Sequence, residues 1–141
     1  MFTITRSVEI NRPVEEVFAF VSDASKIPLW RKDILASTGP AHVSVGTEFV
    51  ETINFMGKKD FTMRVVAIEP NRREMIENVA GPDVRPIQTF TFERSSNGTM
   101  FTVSVTVRTF GLFRLMEPMM PRMIGKNWDG YLAALKQLLE Q

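Results

Sequence analysis

The chain has 141 residues, a length that fits a single domain, residues 1–141, with its own hydrophobic core. Its 44% hydrophobic and 23% charged residues are typical of a globular protein, which disfavours disorder and a coiled coil. A net charge of +1 disfavours a nucleic-acid partner, and the absence of Cys with only one His excludes disulfides, thiolate chemistry and a zinc site built from these residues.

No segment approaches the roughly 20 apolar residues of a membrane span, and the N-terminus lacks a basic stretch followed by an apolar run. We therefore expect a cytoplasmic protein without stable membrane insertion. The sequence contains no glycine-rich phosphate loop, nucleophile motif or cluster of metal ligands, so neither a cofactor nor a metal is expected.

The first third of the chain predicts one strand and two short helices. Residues 2–10, FTITRSVEI, are rich in β-branched side chains and predict a strand. Asn11 is expected to cap the following helix, with Pro13 in its first turn and apolar residues at helical spacing after it. The segment SKIPLWRKDI predicts a second, shorter helix that bends around Trp30.

From Val45 to Phe110 the pattern is that of strands joined by turns. Turns are predicted at Gly57-Lys58, at Pro70-Asn71 and at Ser96-Asn97-Gly98. After Gly111, apolar residues recur every three or four positions and predict one long helix. This apolar stripe is expected to face the sheet and comprises Leu112, Leu115, Met116, Met119, Met120, Met123, Ile124, Trp128, Tyr131, Leu132, Leu135, Leu138 and Leu139.

These elements predict an α+β fold. A strand and two short helices precede an antiparallel meander of about six strands, and one long helix ends the chain. Such a sheet must bury one face, and the C-terminal helix is the only predicted element long enough to cover it. We therefore expect a curved antiparallel sheet wrapped around the C-terminal helix.

The order of elements and several segments resemble the START-like superfamily of helix-grip proteins, in particular its polyketide cyclase/dehydrase and lipid-transport branch. The resemblance rests on SVEINRPVEEVFAFVSDASKIPLW, VGTEF, AIEPNRR, TFTFERSSNGTMFTVSV and the final LAALKQLLE. It implies a deep, mostly apolar cavity between the sheet and the long helix. It does not imply one activity, because the superfamily includes carriers, cyclases, hormone receptors and co-chaperones.

The segment MEPMMPRM concentrates four of the nine methionines in the first half of the last helix, beside Pro118 and Pro121. Unbranched Met adapts to irregular or changing neighbours, so this half of the helix is predicted to cover a ligand cavity. The alternative is that the four side chains fill a wide end of the core. The methionines concerned are Met116, Met119, Met120 and Met123.

Aromatic and other apolar residues at alternating strand positions are predicted to line the same cavity. Trp30 matches a position that tends to close the pocket in the resembled family, although a purely structural role is the alternative. For each of the other residues in this predicted set, the alternative is that its side chain packs within the core. The complete set of these predicted lining residues is Trp30, Phe49, Phe55, Phe61, Met63, Phe90, Phe92 and Trp128.

Glu51 is the candidate for catalysis. If Phe49 and Phe55 point inward, Glu51 does too, because residues two apart on a strand share a face. A buried carboxyl group without a partner has a raised pKa and can act as a general acid or base. Alternatively, a bulge turns Glu51 to solvent, or Arg64 or Arg108 pairs with it.

Other polar residues are weaker candidates for chemistry. His42 lies in a predicted loop, where an exposed position is expected. The remaining polar candidates are Asn54, Asp60, Arg64, Glu77, Arg108 and Asn127, and the Tyr131 hydroxyl could meet the polar end of a ligand.

Together these features predict a monomer or homodimer that binds or transports a hydrophobic small molecule, such as a lipid, a polyketide or an aromatic metabolite. The alternative is a polyketide cyclase or dehydratase that uses the same cavity. Such an enzyme would need several convergent polar groups, of which the sequence indicates few. A protein-binding co-chaperone would need an exposed apolar or charged surface, which the sequence does not identify.

Overall fold

The computed structural model describes residues 1–141 and shows seven strands and four α-helices. The strands are β1 (Phe2–Ile10), β2 (Ile34–Ser37), β3 (Glu48–Asn54), β4 (Lys58–Glu69), β5 (Arg73–Ala80), β6 (Val84–Ser95) and β7 (Gly98–Thr109). The helices are α1 (Val14–Ser22), α2 (Ile27–Trp30), α3 (Phe113–Met116) and α4 (Met120–Leu139), with 3₁₀ turns at Ala24–Lys26 and Glu117–Met119. None of these helices is both long enough and apolar enough to span a membrane.

The strands form one antiparallel sheet in the order β1-β7-β6-β5-β4-β3-β2. The pairing shifts register twice between β4 and β5, after Thr62 and again after Val65. Such bulges bend and twist a strand, which helps the sheet to curl. The concave face carries α4, which packs mainly on β1, and α1 contacts β6 and β7. The predicted α+β helix-grip architecture is therefore confirmed.

The three predicted turns are also present. Met56 and Gly57 have positive φ values of 53° and 100° between β3 and β4, and Asn71 has a φ of 63° between β4 and β5. Ser95 pairs with Gly98 across the turn between β6 and β7. The four-residue strand β2 was not assigned from the sequence, because it is too short to show an alternating pattern and it begins inside the segment predicted as the second helix.

Two local predictions were wrong. The N-cap of α1 is Pro13 and no side chain caps the helix; the backbone amide of Asn11 instead donates to Glu140 Oε2 at 2.8 Å. Leu112, Leu115 and Met119 do not face the sheet but are 82%, 80% and 67% exposed. The reason is that their segment runs along the end of the sheet, where Glu117 accepts from the Thr109 hydroxyl at the end of β7.

The core is densely aromatic at the centre of the sheet. Trp30 is 1% exposed, and its ring lies 5.9 Å from that of Trp128 and 6.4 Å from those of Phe90 and Phe101, measured between centroids. Phe92 packs against Phe101 at 5.1 Å. Side chains therefore fill the middle of the space between sheet and helix, which confines any cavity to one end.

Candidate functional site

A partly enclosed cavity of about 120 Å³ lies between the concave face of the sheet and α4. It is near the end of the sheet at which β4 and β6 begin and β3 and β7 finish. Its apolar lining consists of Ile53, Phe55, Phe61, Val84, Pro86, Val105, Val107, Met123, Ile124 and Trp128. Its polar lining consists of Arg31, Asp33, Glu51, Asn54, Gln88, Asn127 and Tyr131.

The periodicity of each element brings these side chains to the cavity. Alternate residues of a strand share a face, so Glu51 and Ile53 of β3 point to the same side. On α4 the spacing of three and four residues aligns Ile124, Trp128 and Tyr131. Asn54, Met123 and Asn127 are exposed lining residues and form the cavity mouth.

An ion pair between a buried arginine and a partly buried aspartate lies at the inner wall of the cavity. Arg31 follows α2 immediately and is 5% exposed. Its Nη2 donates to Asp33 Oδ2 at 3.1 Å. The guanidinium also lies over two rings of α4, 4.8 Å from the centroid of Trp128 and 5.7 Å from that of Tyr131. The ion pair and the rings together fix the position of the positive charge beside the cavity.

Glu51 faces the cavity from β3 and is 1% exposed. Neither of its carboxyl oxygens has a hydrogen-bond partner within the protein. Burial raises the pKa of Glu51; the charge of Arg31 opposes this shift and the charge of Asp33 adds to it. The protonated form is therefore favoured more than in an exposed glutamate, and this side chain can both donate and accept a hydrogen bond.

Two further buried atoms at this site lack a partner within the protein, namely Nε of Arg31 and Oδ1 of Asp33. Buried polar atoms are nearly always hydrogen-bonded in folded proteins. Burial also raises the pKa of the Tyr131 phenol, and the charge of Asp33 raises it further. Tyr131 therefore stays neutral and can donate its proton in a hydrogen bond. The cavity thus combines an apolar wall with donors and acceptors on one side.

The structure brings five of the sequence-predicted site residues to the cavity: Glu51, Phe55, Phe61, Met123 and Trp128. The inward direction of Glu51 agrees with the parity argument, and neither predicted arginine pairs with it, since Arg64 binds Glu48 and Arg108 has no ion pair. Asn54, Asn127 and Tyr131, named as polar candidates, line the cavity too. His42 is exposed.

The other predicted lining residues lie elsewhere. Those buried in the core, away from the cavity, are Trp30, Phe49, Met63, Phe90, Phe92 and Met120. Met116 is partly buried against the core and Met119 is exposed. Only Met123 of the four clustered methionines borders the cavity, because the others precede the part of the helix that lies over it.

Sequence reasoning missed Arg31, Asp33 and Gln88. Gln88 shares the strand parity of Phe90 and Phe92 and could have been found from that alternation. Arg31 and Asp33 follow the buried Trp30 in a segment that was predicted to be helical. Their inward direction depends on the end of α2 at Trp30, for which the sequence gives no clear signal.

Comparison with known proteins agrees with this architecture. The family model described as polyketide cyclase/dehydrase and lipid transport matches residues 1–140. A START superfamily protein from Mycobacterium smegmatis is 18% identical, with a TM-score of 0.81 over 99% of this chain and 97% of that one. A protein from Bacillus halodurans is 18% identical, with a TM-score of 0.80 over 99% and 98%.

A protein from Mesorhizobium loti is 20% identical, with a TM-score of 0.77 over 98% of this chain and 96% of that one. The TM-scores establish that the fold is shared. Sequence identities this low do not show which ligand this chain binds. No curated protein sequence matches the chain.

Proposed function

The chain belongs to the polyketide cyclase/dehydrase and lipid transport family, and we propose that it binds a small, mainly apolar molecule whose polar group lies against Glu51 and Arg31. The observation that carries this proposal is the position of the unpartnered polar atoms. Four of the seven buried side-chain atoms that lack a partner belong to Arg31, Asp33 and Glu51, which line one cavity whose remaining wall is largely apolar.

The volume limits the size of the ligand. A cavity of about 150 Å³ can hold benzene, so the cavity of about 120 Å³ accommodates roughly one ring. A longer ligand would extend through the cavity mouth, where Met123 is 43% exposed and can change rotamer without disturbing the core.

Apolar burial alone gives weak binding. An aromatic group that loses about 150 Å² of accessible surface gains roughly 4 kcal/mol, and the loss of translational and rotational freedom offsets part of this gain, so the dissociation constant is about 1 mM or weaker. A hydrogen bond to a charged group adds about 1.5–3 kcal/mol, or at least tenfold in affinity. The polar side of the cavity therefore decides which ring-sized molecules bind tightly.

The experiment compares toluene with p-cresol, which differ by one hydroxyl group. We expect p-cresol to bind at least about tenfold more tightly in a calorimetric titration. Replacing Glu51 by Gln should reduce this preference, whereas Glu48→Gln on the exposed face of the same strand should not. Equal affinities of the two compounds, or no binding of either in the millimolar range, would reject the proposal. Native mass spectrometry of protein purified without denaturation would reveal a retained natural ligand.

A second function, a cyclase or dehydratase, is favoured by one observation. Glu51 is inward-facing and is accompanied by Arg31, Asp33 and Tyr131, so the convergent polar groups that such an enzyme needs are present. Dehydration of a β-hydroxy ketone requires a proton for the departing hydroxyl group, and a protonated Glu51 can donate it. Arg31 can hydrogen-bond to the ketone oxygen while the Asp33 carboxylate, whose Oδ1 has no partner, accepts the proton α to the carbonyl, so that the enone and one water are the products.

The enzymatic alternative is tested with a one-ring β-hydroxy ketone, whose conjugated enone product absorbs in the ultraviolet. A dehydratase should form the enone in proportion to protein concentration, and Glu51→Gln should abolish turnover while retaining binding of toluene. Binding without turnover in the wild-type protein supports the carrier.

A further inference from the structure

We propose that the end of the molecule that carries the cavity mouth is a docking surface for an anionic membrane. This inference goes beyond binding in the cavity, because it concerns the outside of the molecule and needs no ligand. It rests on two independent features of that end, its exposed apolar side chains and its unpaired cations.

The apolar feature is concentrated rather than scattered. Seven of the eleven large hydrophobic side chains that are exposed lie at this end of the sheet. We call the following six the mouth surface: Met56, Phe110, Leu112, Leu115, Met119 and Met123, to which Met1 is adjacent. Contact between the rings of Phe55 and Phe113, 5.7 Å apart, joins the β3–β4 turn to α3 and makes the surface continuous.

The second feature is the positive charge of this end. It is seen when the Lys and Arg side chains in ion pairs are counted separately from those without one. Nine of the seventeen Lys and Arg side chains are in ion pairs with carboxylates. The other eight have none, and all are on elements at the mouth end. They are Lys32 before β2, Lys58 and Lys59 at the start of β4, Arg85 at the start of β6, Arg108 at the end of β7, and Arg114, Arg122 and Lys126 on the last helical segment.

Few carboxylates oppose these cations. Asp60, Glu77, Asp83 and the buried Glu51 are the acidic residues near this end without an ion pair, and Glu117 is engaged by the N-terminal amine at 2.8 Å. Conversely, Glu9 and Glu93, which also lack an ion pair, lie near the opposite end of the sheet. The protein is therefore electrically polarised, which a net charge of +1 does not reveal.

This combination fits a membrane better than a second copy of the chain. A two-fold dimer through the mouth surface would bring two sets of unpaired cations together, and like charges placed close together are repulsive. A layer of anionic lipid headgroups instead neutralises Arg114 and Arg122 while Leu112 and Leu115 enter the interface. Each basic residue near such a surface strengthens binding by about fivefold.

Docking in this orientation would bring the cavity mouth against the membrane. An apolar ligand could then pass between the acyl region and the cavity along Met123 without crossing water. The mouth surface thus provides a physical route for loading, whatever the ligand is.

The test is co-sedimentation of the ligand-free protein with phosphatidylcholine vesicles that contain or lack phosphatidylglycerol. We expect binding only to the anionic vesicles and its loss at high salt. The double variant Arg114→Gln/Arg122→Gln should bind at least about tenfold more weakly. The matched control is Arg72→Gln/Arg94→Gln at the opposite end, which should bind like the wild type.

The apolar contribution is tested with Leu112→Ser/Leu115→Ser against Val45→Ser, whose side chain is 64% exposed on the loop before β3. The first variant should weaken vesicle binding and leave the thermal unfolding temperature unchanged, because these leucines pack against nothing. Absence of vesicle binding, or equal effects of both variants, would overturn the proposal. The proposal would also be overturned if analytical ultracentrifugation showed a dimer and the Leu112→Ser/Leu115→Ser variant were monomeric. The mouth surface would then join two copies of the chain.

Discussion

The guanidinium of Arg31 lies over the indole ring of Trp128, 4.8 Å from the ring centroid, and pairs with Asp33 at 3.1 Å. This arrangement joins the segment after α2 to the middle of α4. It also places a permanent positive charge beside a carboxyl group, that of Glu51, whose own partners are missing. The stability of the fold should therefore depend on the charge of Arg31.

Replacing Arg31 by Met should destabilise the fold strongly. The variant leaves Asp33 and Glu51 without a cation, and breaking a buried pair typically costs about 3–5 kcal/mol. Chemical denaturation measures the loss. Arg64→Met is the control, because its pair with Glu48 is exposed and should contribute no more than about 1 kcal/mol. Similar losses in the two variants would show that Arg31 is not held in a buried pair.

Because of the buried Glu74, we expect the stability of the folded protein to depend on pH. It is 1% exposed on β5, and burial raises its pKa to about 8. The folded state therefore retains a proton that the unfolded state releases near its ordinary pKa of 4.5. The contribution of this group to stability is complete below pH 4.5 and decreases by about 1.4 kcal/mol per pH unit as the pH rises toward 8.

Glu74→Gln should remove this dependence. The variant should be slightly more stable than the wild type near pH 4.5. The difference in the free energy of unfolding should grow to about 3 kcal/mol at pH 7. The exposed Glu93→Gln variant should follow the wild-type curve. If the wild-type and Glu74→Gln curves run parallel from pH 4.5 to 8, Glu74 ionises normally in the folded protein.

Because Val105 borders the cavity, we expect the fold to tolerate a larger side chain at this position. Val105 lines the cavity, whereas Val103, two residues earlier on the same face of β7, packs within the core. Val105→Phe places its ring in the cavity and should change stability by less than about 1.5 kcal/mol. Val103→Phe should cost about 1–3 kcal/mol or more, because no space receives the ring. Thermal unfolding compares the two variants.

The same Val105→Phe variant should weaken binding of p-cresol at least tenfold, because the introduced ring occupies the ligand's volume. Unchanged affinity in a variant that folds normally would show that p-cresol binds outside the cavity.

Two glycines of α4 should respond differently to Ala. Nothing lies within 4 Å of a Cβ added at Gly130, so Gly130→Ala should stabilise the helix by up to about 1 kcal/mol. A Cβ at Gly125 would press on the guanidinium of Arg6, which is paired with Asp129. Gly125→Ala should therefore gain less than Gly130→Ala. Equal gains in thermal unfolding would indicate that Arg6 moves aside at no cost.

The sequence was most informative where pattern alone determines structure. Alternation along β6 and β7 and the turn residues predicted the sheet, and the same alternation predicted the inward direction of Glu51. It was least informative about the surroundings of each side chain. Trp30 and Phe90 pack against each other instead of bordering space, which depends on distances between elements far apart in the chain.

The last helix illustrates the same limit. Leu112 and Leu115 have the spacing of a buried stripe, yet the sheet ends before it could cover them. Periodicity predicts which residues share a helix face and does not show whether anything covers that face. The mouth surface and the unpaired cations were therefore not evident from the sequence.

Nuclear magnetic resonance of labelled isoleucine methyl groups tests most directly whether the cavity beside Glu51 holds a ligand. Ile53 and Ile124 line the cavity, whereas Ile10 is 0% exposed in the core and does not line it. On titration with p-cresol, the methyl signals of Ile53 and Ile124 should shift progressively and saturate, while that of Ile10 stays nearly unchanged. Absence of saturable shifts at Ile53 and Ile124, or shifts of equal size at Ile10, would contradict binding in the cavity.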